Sequence, residues 1–69
     1  MPKLKIILNG EEKFIEAKSS IKNLIDDLEL DIKKIAVENN YEIILPENFA
    51  EFILSEGDRV EIIHFIGGG

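Results

Sequence analysis

One stretch of the sequence, Ile21 to Leu28, places Ile21, Leu24, Ile25 and Leu28 at i, i+3, i+4 and i+7, the spacing of an amphipathic helix of two to three turns. The segments around it read mainly as short strands and turns, so this helix has to bury its apolar stripe against a sheet. Ser19 and Ser20, just ahead of it, offer hydroxyls to the free amides of a helix start. Lys22, Asn23, Asp26, Asp27 and Glu29 form its polar face. Asp26-Asp27 is read as part of that solvated face and not as an acid/base dyad, because paired catalytic carboxylates need a shared site kept from water.

Ahead of the helix, Lys3 to Leu8 (KLKIIL) sets Leu4, Ile6 and Leu8 on one face of a strand and Ile7 on the other. Asn9-Gly10 is a tight-turn signal, since both residues tolerate positive φ, and Glu12 to Ala17 reads as the returning strand with Phe14 and Ile15. Beyond the helix, Lys34 to Glu38 (KIAVE) predicts a strand, Asn39-Asn40 a turn and Tyr41 to Leu45 (YEIIL) a short returning strand, which Pro46 ends because it cannot donate to a ladder. Phe49, Phe52 and Ile53 have the spacing of one helical turn, whose aromatics would cap the core. Ser55-Glu56-Gly57-Asp58 is a turn, with Gly57 supplying its angle and Asp58 bonding local amides. Arg59 to Ile66 is the last strand, with Val60, Ile62, His64 and Ile66 on one face and Glu61, Ile63 and Phe65 on the other.

Hairpin, helix, two short strands, turn and final strand make an α+β arrangement of the β-grasp type. The expectation is a mixed sheet of four to five strands with one main helix packed on one face, over residues 1–66, followed by a flexible glycine tail, residues 67–69. A helix covers only one face. One of the two side-chain sets of the last strand therefore lies on the open face, where exposed apolar groups would suit docking. Ile63, Phe65 and Ile66 are the candidates.

Several functions are disfavoured. A chain of 69 residues is one domain and cannot easily enclose a deep catalytic pocket, so the expectation is a protein that is not an enzyme. With 14 acidic and 8 basic residues, a net charge of -6 repels phosphate backbones and anionic lipid, so neither nucleic acid nor membrane is an expected partner. There is no cysteine, which rules out disulfides and thiolate metal sites. His64 is the only histidine, so a catalytic triad with Ser55 and Asp58 or a metal site is not expected, and no cofactor motif occurs. The amino end has no run resembling a signal peptide or a membrane span, which makes a cytoplasmic location the default.

The segment FAEFILSEGDRVEIIHFIGGG, Phe49 to Gly69, resembles the ThiS family of small sulfur carriers used in thiazole formation for thiamin. The resemblance rests on Phe49, Leu54, the Glu56-Gly57-Asp58 turn, the strand Val60-Glu61-Ile62-Ile63 and the terminal Gly68-Gly69. It covers the whole length, with its specific part in the last third. Where many members carry a basic residue before the aromatic, this chain reads Leu45-Pro46-Glu47-Asn48.

The resemblance implies a carrier that binds no cofactor itself. An adenylating enzyme similar to ubiquitin-activating enzymes would use ATP and magnesium on the carboxylate of Gly69, and a sulfur donor would then leave a thiocarboxylate there for a thiazole synthase. Gly67 and Gly68 would form the arm, since glycine lacks Cβ and accepts most backbone angles. Two other expectations share the tail: a MoaD-like carrier for molybdopterin synthesis, and a ubiquitin-like modifier joined to lysines. A noncovalent binding module with an idle tail is the remaining one. MoaD-like chains tend towards a proline-rich approach to the glycines, where this chain has His64-Phe65-Ile66.

Overall fold

Two tight hairpins and one helix set the architecture. The computed structural model describes residues 2–65. Strand β1 (Lys3–Leu8) turns through Asn9 and Gly10, at φ 49° and 84°, into β2 (Glu11–Glu16). Both central residues have positive φ, which matches the twist of the paired strands. Helix α1 (Ile21–Asp27) follows, then β3 (Ile35–Asn39), β4 (Glu42–Ile44) and β5 (Arg59–His64). The sheet order is β2-β1-β5-β3-β4, with β1 and β5 parallel and the other neighbours antiparallel. This is the mixed sheet with one main helix that the sequence predicts.

The helix starts where expected because every early amide finds an acceptor. The Ser20 hydroxyl accepts from the Asn23 amide at 3.0 Å, and the Asn23 side chain accepts from the Ser20 amide at 2.9 Å, a reciprocal cap. Ile21 and Lys22 donate to the carbonyls of Phe52 and Phe49 at 2.9 and 3.1 Å. The loop between β4 and β5 is thereby stitched to the helix start, and Ser20 also bridges to Ile53. At the other end Glu29 donates to Asp26 and Leu30 to Ile25, the two bonds of a Schellman termination, with Glu29 in the left-handed region at φ 57°. A non-glycine residue there costs about 1 kcal/mol. Glu29→Gly is therefore expected to stabilise the domain by up to about 1 kcal/mol, read as a higher midpoint in urea unfolding.

Ile21, Leu24 and Ile25 of the helix, Ile6, Ile15, Ile35, Val37 and Val60 of the sheet, and Phe49 and Leu54 of the loop form the core. Leu4, Leu8, Leu28, Phe52 and Ile62 pack around it.

The boundaries differ from the sequence expectation in several places. β2 runs Glu11–Glu16 and not from Glu12 to Ala17, because a two-residue turn pairs Leu8 directly with Glu11. A 3₁₀ turn at Ile32–Lys34, capped by the Asp31 carboxylate on the Lys33 amide at 2.9 Å, takes Lys34 out of β3. The second hairpin turns at Asn40-Tyr41 and not at Asn39-Asn40. Asn39 is a buried strand residue opposite both Val60 and Glu42, and its Oδ1 has no hydrogen-bond partner among the described residues. Tyr41, expected in the strand, sits at φ 72° with its ring under the Arg59 guanidinium at 5.3 Å.

Two further differences lie in the loop and the last strand. The helical turn expected around Phe49, Phe52 and Ile53 begins earlier, at Pro46–Asn48, and brings Phe49 into the core. Ile53 faces out, because its backbone pairs with Ser20. β5 ends at His64, and the expected strand residue Ile66 and the tail Gly67, Gly68 and Gly69 lie outside the described residues.

Candidate functional site: the end of the central strand and the open face

β5 is the middle strand of five, and its start is fixed from both sides. Asn9 donates its amide to Val60 at 2.9 Å and accepts the Ile62 amide on its side-chain oxygen at 2.8 Å. From the other side, Asn40 exchanges bonds with Arg59, donating to its carbonyl at 2.7 Å and accepting its amide on Oδ1 at 2.9 Å. The turn asparagines of the two hairpins thus grip the same strand.

Asp58 closes this arrangement, accepting from the Ser55 amide at 2.9 Å and from Asn40 Nδ2 at 3.1 Å. Gly57, at φ 83°, donates to the Lys5 carbonyl at 2.7 Å. The Ser55–Asp58 turn is structural, as its sequence indicates.

The far end of β5 is held differently. β1 pairs with it at Arg59 and Val60, whereas β3 accompanies it through His64 opposite Ile35, and Phe65 donates to Lys34 at 2.8 Å. Ile63, His64 and Phe65 therefore run past the end of β1, with β3 alone beside them among the described residues.

Alternation along β5 settles which side chains are open. Val60 is fully buried and Ile62 packs against the core, so that set faces the helix. Ile63 is 53% exposed and Phe65 55% exposed, on or beside the face the helix leaves bare. The structure thus exposes two of the three expected docking residues, Ile63 and Phe65, while Ile66 lies outside the described residues. Ile43 and Leu45, 71% and 51% exposed, were not among the sequence candidates. The alternation in YEIIL was the available signal, and it becomes readable only once the turn is placed at Asn40-Tyr41, because a shift of one residue exchanges the faces.

Beside Phe65, an apolar cleft of about 470 Å³ opens where β4 is too short to cover the start of β3. Ile35, Ala36, Ile43, Leu45 and Pro46 contribute to its walls. Pro46 follows β4 with no amide to extend the ladder over Ile35.

Asp26 is exposed and paired with Lys22 at 3.0 Å, and Asp27 is exposed on the same helix. His64 is separated from Asp58 by six strand positions, about 20 Å at strand rise, so the two cannot share a triad. No group of three or more potential metal-ligating residues occurs among the described residues. No helix among them is long and apolar enough to cross a membrane.

β5 is the central strand of the sheet and the last element among the described residues. The ThiS family model matches residues 4–69. The chain belongs to the ThiS family. A sulfur carrier protein ThiS from Bacillus subtilis is 40% identical over 63 residues, which cover 90% of this chain and 96% of that one. A crystal structure of the thiamine biosynthesis protein ThiS from Geobacter metallireducens superimposes with a TM-score of 0.82 at 26% identity, covering 96% of this chain and all of that one. A thiazole synthase from Paramagnetospirillum magneticum is 39% identical over 66 residues. The match takes in 96% of this chain and only 20% of that enzyme, so the chain spans about a fifth of such relatives' length.

Proposed function

We propose that the protein is a sulfur carrier of thiamin biosynthesis whose Gly69 carboxylate is the reacting group. The observation that carries this reading is the family membership through residue 69, joined to a β5 that is gripped at its start and free of β1 at its end. A firm strand feeding a chain of glycines combines direction with thinness. The carboxylate can enter two successive enzyme sites, and no side chain next to it blocks attack on the acyl carbon.

In the chemistry we assign, an adenylating enzyme uses ATP and magnesium. The Gly69 carboxylate attacks the α-phosphorus, pyrophosphate leaves, and an acyl adenylate forms. A sulfur nucleophile then adds to the acyl carbon and expels AMP, leaving a thiocarboxylate. A thiazole synthase consumes it. The likeness to enzymes named thiazole synthase supports that partner, because there a segment similar to this chain is part of the same polypeptide. The carrier is a covalent substrate in this scheme, and its own residues present and orient the carboxylate.

Ile63 and Phe65 supply the docking contacts next to the arm. Carrier-dependent exchange of pyrophosphate into ATP by the adenylating enzyme tests the first step. The wild-type chain is expected to support exchange, and Ile63→Ala with Phe65→Ala to raise the KM for the carrier about tenfold or more, because exposed apolar anchors of this size dominate contact energies. Both side chains are more than half exposed, so the variant keeps its fold. Absence of exchange with the wild-type chain would overturn the reading.

A further inference from the structure

Resting on the function just proposed, we infer that the open face of β3, β4 and β5 docks the adenylating enzyme through a basic side chain of that enzyme set in an apolar patch, with Glu38 and Glu61 receiving the cation together. The two glutamates stand directly opposite each other across β3 and β5. Asn40 donates to Arg59 and Phe65 to Lys34, so the even-numbered residues of β3 turn their backbone groups to β5, and Glu38 and Glu61 are a hydrogen-bonded pair. Their Cβ atoms are then about 5 Å apart, where like charges destabilise a sheet.

The chain relieves this repulsion only in part. Arg59 approaches Glu61 at 3.7 Å while its guanidinium lies over the Tyr41 ring. No lysine or arginine forms an ion pair with Glu38 among the described residues. Across from Glu38 on its other side stands Ile43, and one rung along the sheet Ala36 faces Ile63. Two carboxylates, one on β3 and one on β5, are therefore set beside the exposed apolar side chains of Ile43 and Ile63.

That surrounding decides the occupant. A purely apolar partner would strip water from two anions and leave them unpaired, which is strongly unfavourable. A second copy of this chain would bring two more anions to the same place. A guanidinium satisfies both carboxylates at once through its forked donors. The adenylating enzyme has an independent reason to be basic nearby, because a chain of net charge -6 ending in a carboxylate must be brought to an ATP triphosphate.

Glu38→Gln keeps the size of the side chain and removes one charge. Pyrophosphate exchange with the full chain and thermal unfolding of the same samples test the inference. The variant is expected to melt at the same temperature or higher, since repulsion is relieved. Its KM for the carrier should rise about tenfold or more at unchanged kcat, with a weaker dependence of KM on salt. An unchanged KM would overturn the inference, and so would a fall in melting temperature that accounts for the KM change. Failure of the wild-type chain to support exchange would overturn the function and this surface together, whereas failure confined to the variant comparison removes the surface alone.

Discussion

A chain shortened by Gly68 and Gly69 is expected to fold as the full chain does and to acquire no sulfur at all. The core residues, both hairpin locks and the helix caps lie within residues 2–65, so the truncation leaves all of these contacts in place. Its unfolding free energy should change by no more than about 0.5 kcal/mol. Activity should fall to nothing and not merely decline, because the carboxylate that reacts would then be on Gly67, two residues short of where the partner's site holds it. Two residues of extended chain span about 7 Å, far beyond the tolerance for attack on phosphorus, since misplacement by even 1 Å costs on the order of a hundredfold. Circular dichroism and intact mass on the same preparation read the two halves of this expectation. Sulfur uptake by the shortened chain would count against Gly69 as the reacting residue.

The second large effect is on stability. Phe49→Ala is expected to cost about 3 to 5 kcal/mol, on the order of the whole stability of a domain this small. Phe49 is 1% exposed, and its carbonyl accepts the Lys22 amide at the helix start. Losing the ring empties the space that the loop, the helix and β3 share, and loosens the stitching of the loop to the helix. At about 4 to 8 °C per kcal/mol for a domain of this length, the melting temperature should drop on the order of 15 °C or more. Ile53→Ala, four residues along and half-exposed, should be nearly neutral. Similar losses for both would mean that the loop is not organised around Phe49 as described. Urea unfolding decides this.

The contrast between Phe49 and Ile53 also marks where the sequence was legible. Ile21, Leu24 and Ile25 announced the buried face of the helix, and Asn9-Gly10 announced its hairpin, because both signals are local: a fixed spacing and a pair of residues that tolerate positive φ. The last strand could be read too, since its alternation separated Val60 and Ile62 from Ile63 and Phe65. The choice of open face was not local. It required the helix to be placed over the sheet, which the order of the elements implied and the burial of Val60 fixed.

Asn39 and Tyr41 show the opposite case. Asparagine favours turns and tyrosine favours strands, yet here Asn39 is buried in β3 and Tyr41 holds a left-handed turn position. Pairing of Asn39 with Val60 on one side and Glu42 on the other sets the register, and the contact of Tyr41 with Arg59 accompanies it. These are long-range partners that local propensity does not contain. The same holds for Ile53, whose helical spacing with Phe49 was overridden by a bridge to Ser20. Asn9 and Asn40 were legible as turn residues, but not as the two side chains that grip β5, because nothing in the local sequence says that both hairpins end beside the same strand.

The most direct test of the central claim is the intact mass of the wild-type chain after incubation with the adenylating enzyme, ATP, magnesium and a sulfur donor, followed by fragmentation to place any change. The expected result is a gain equal to replacement of one oxygen by sulfur, confined to the fragment that ends in Gly69. An unchanged mass in the presence of an enzyme shown to be active on another carrier, or a gain located elsewhere in the chain, would contradict it.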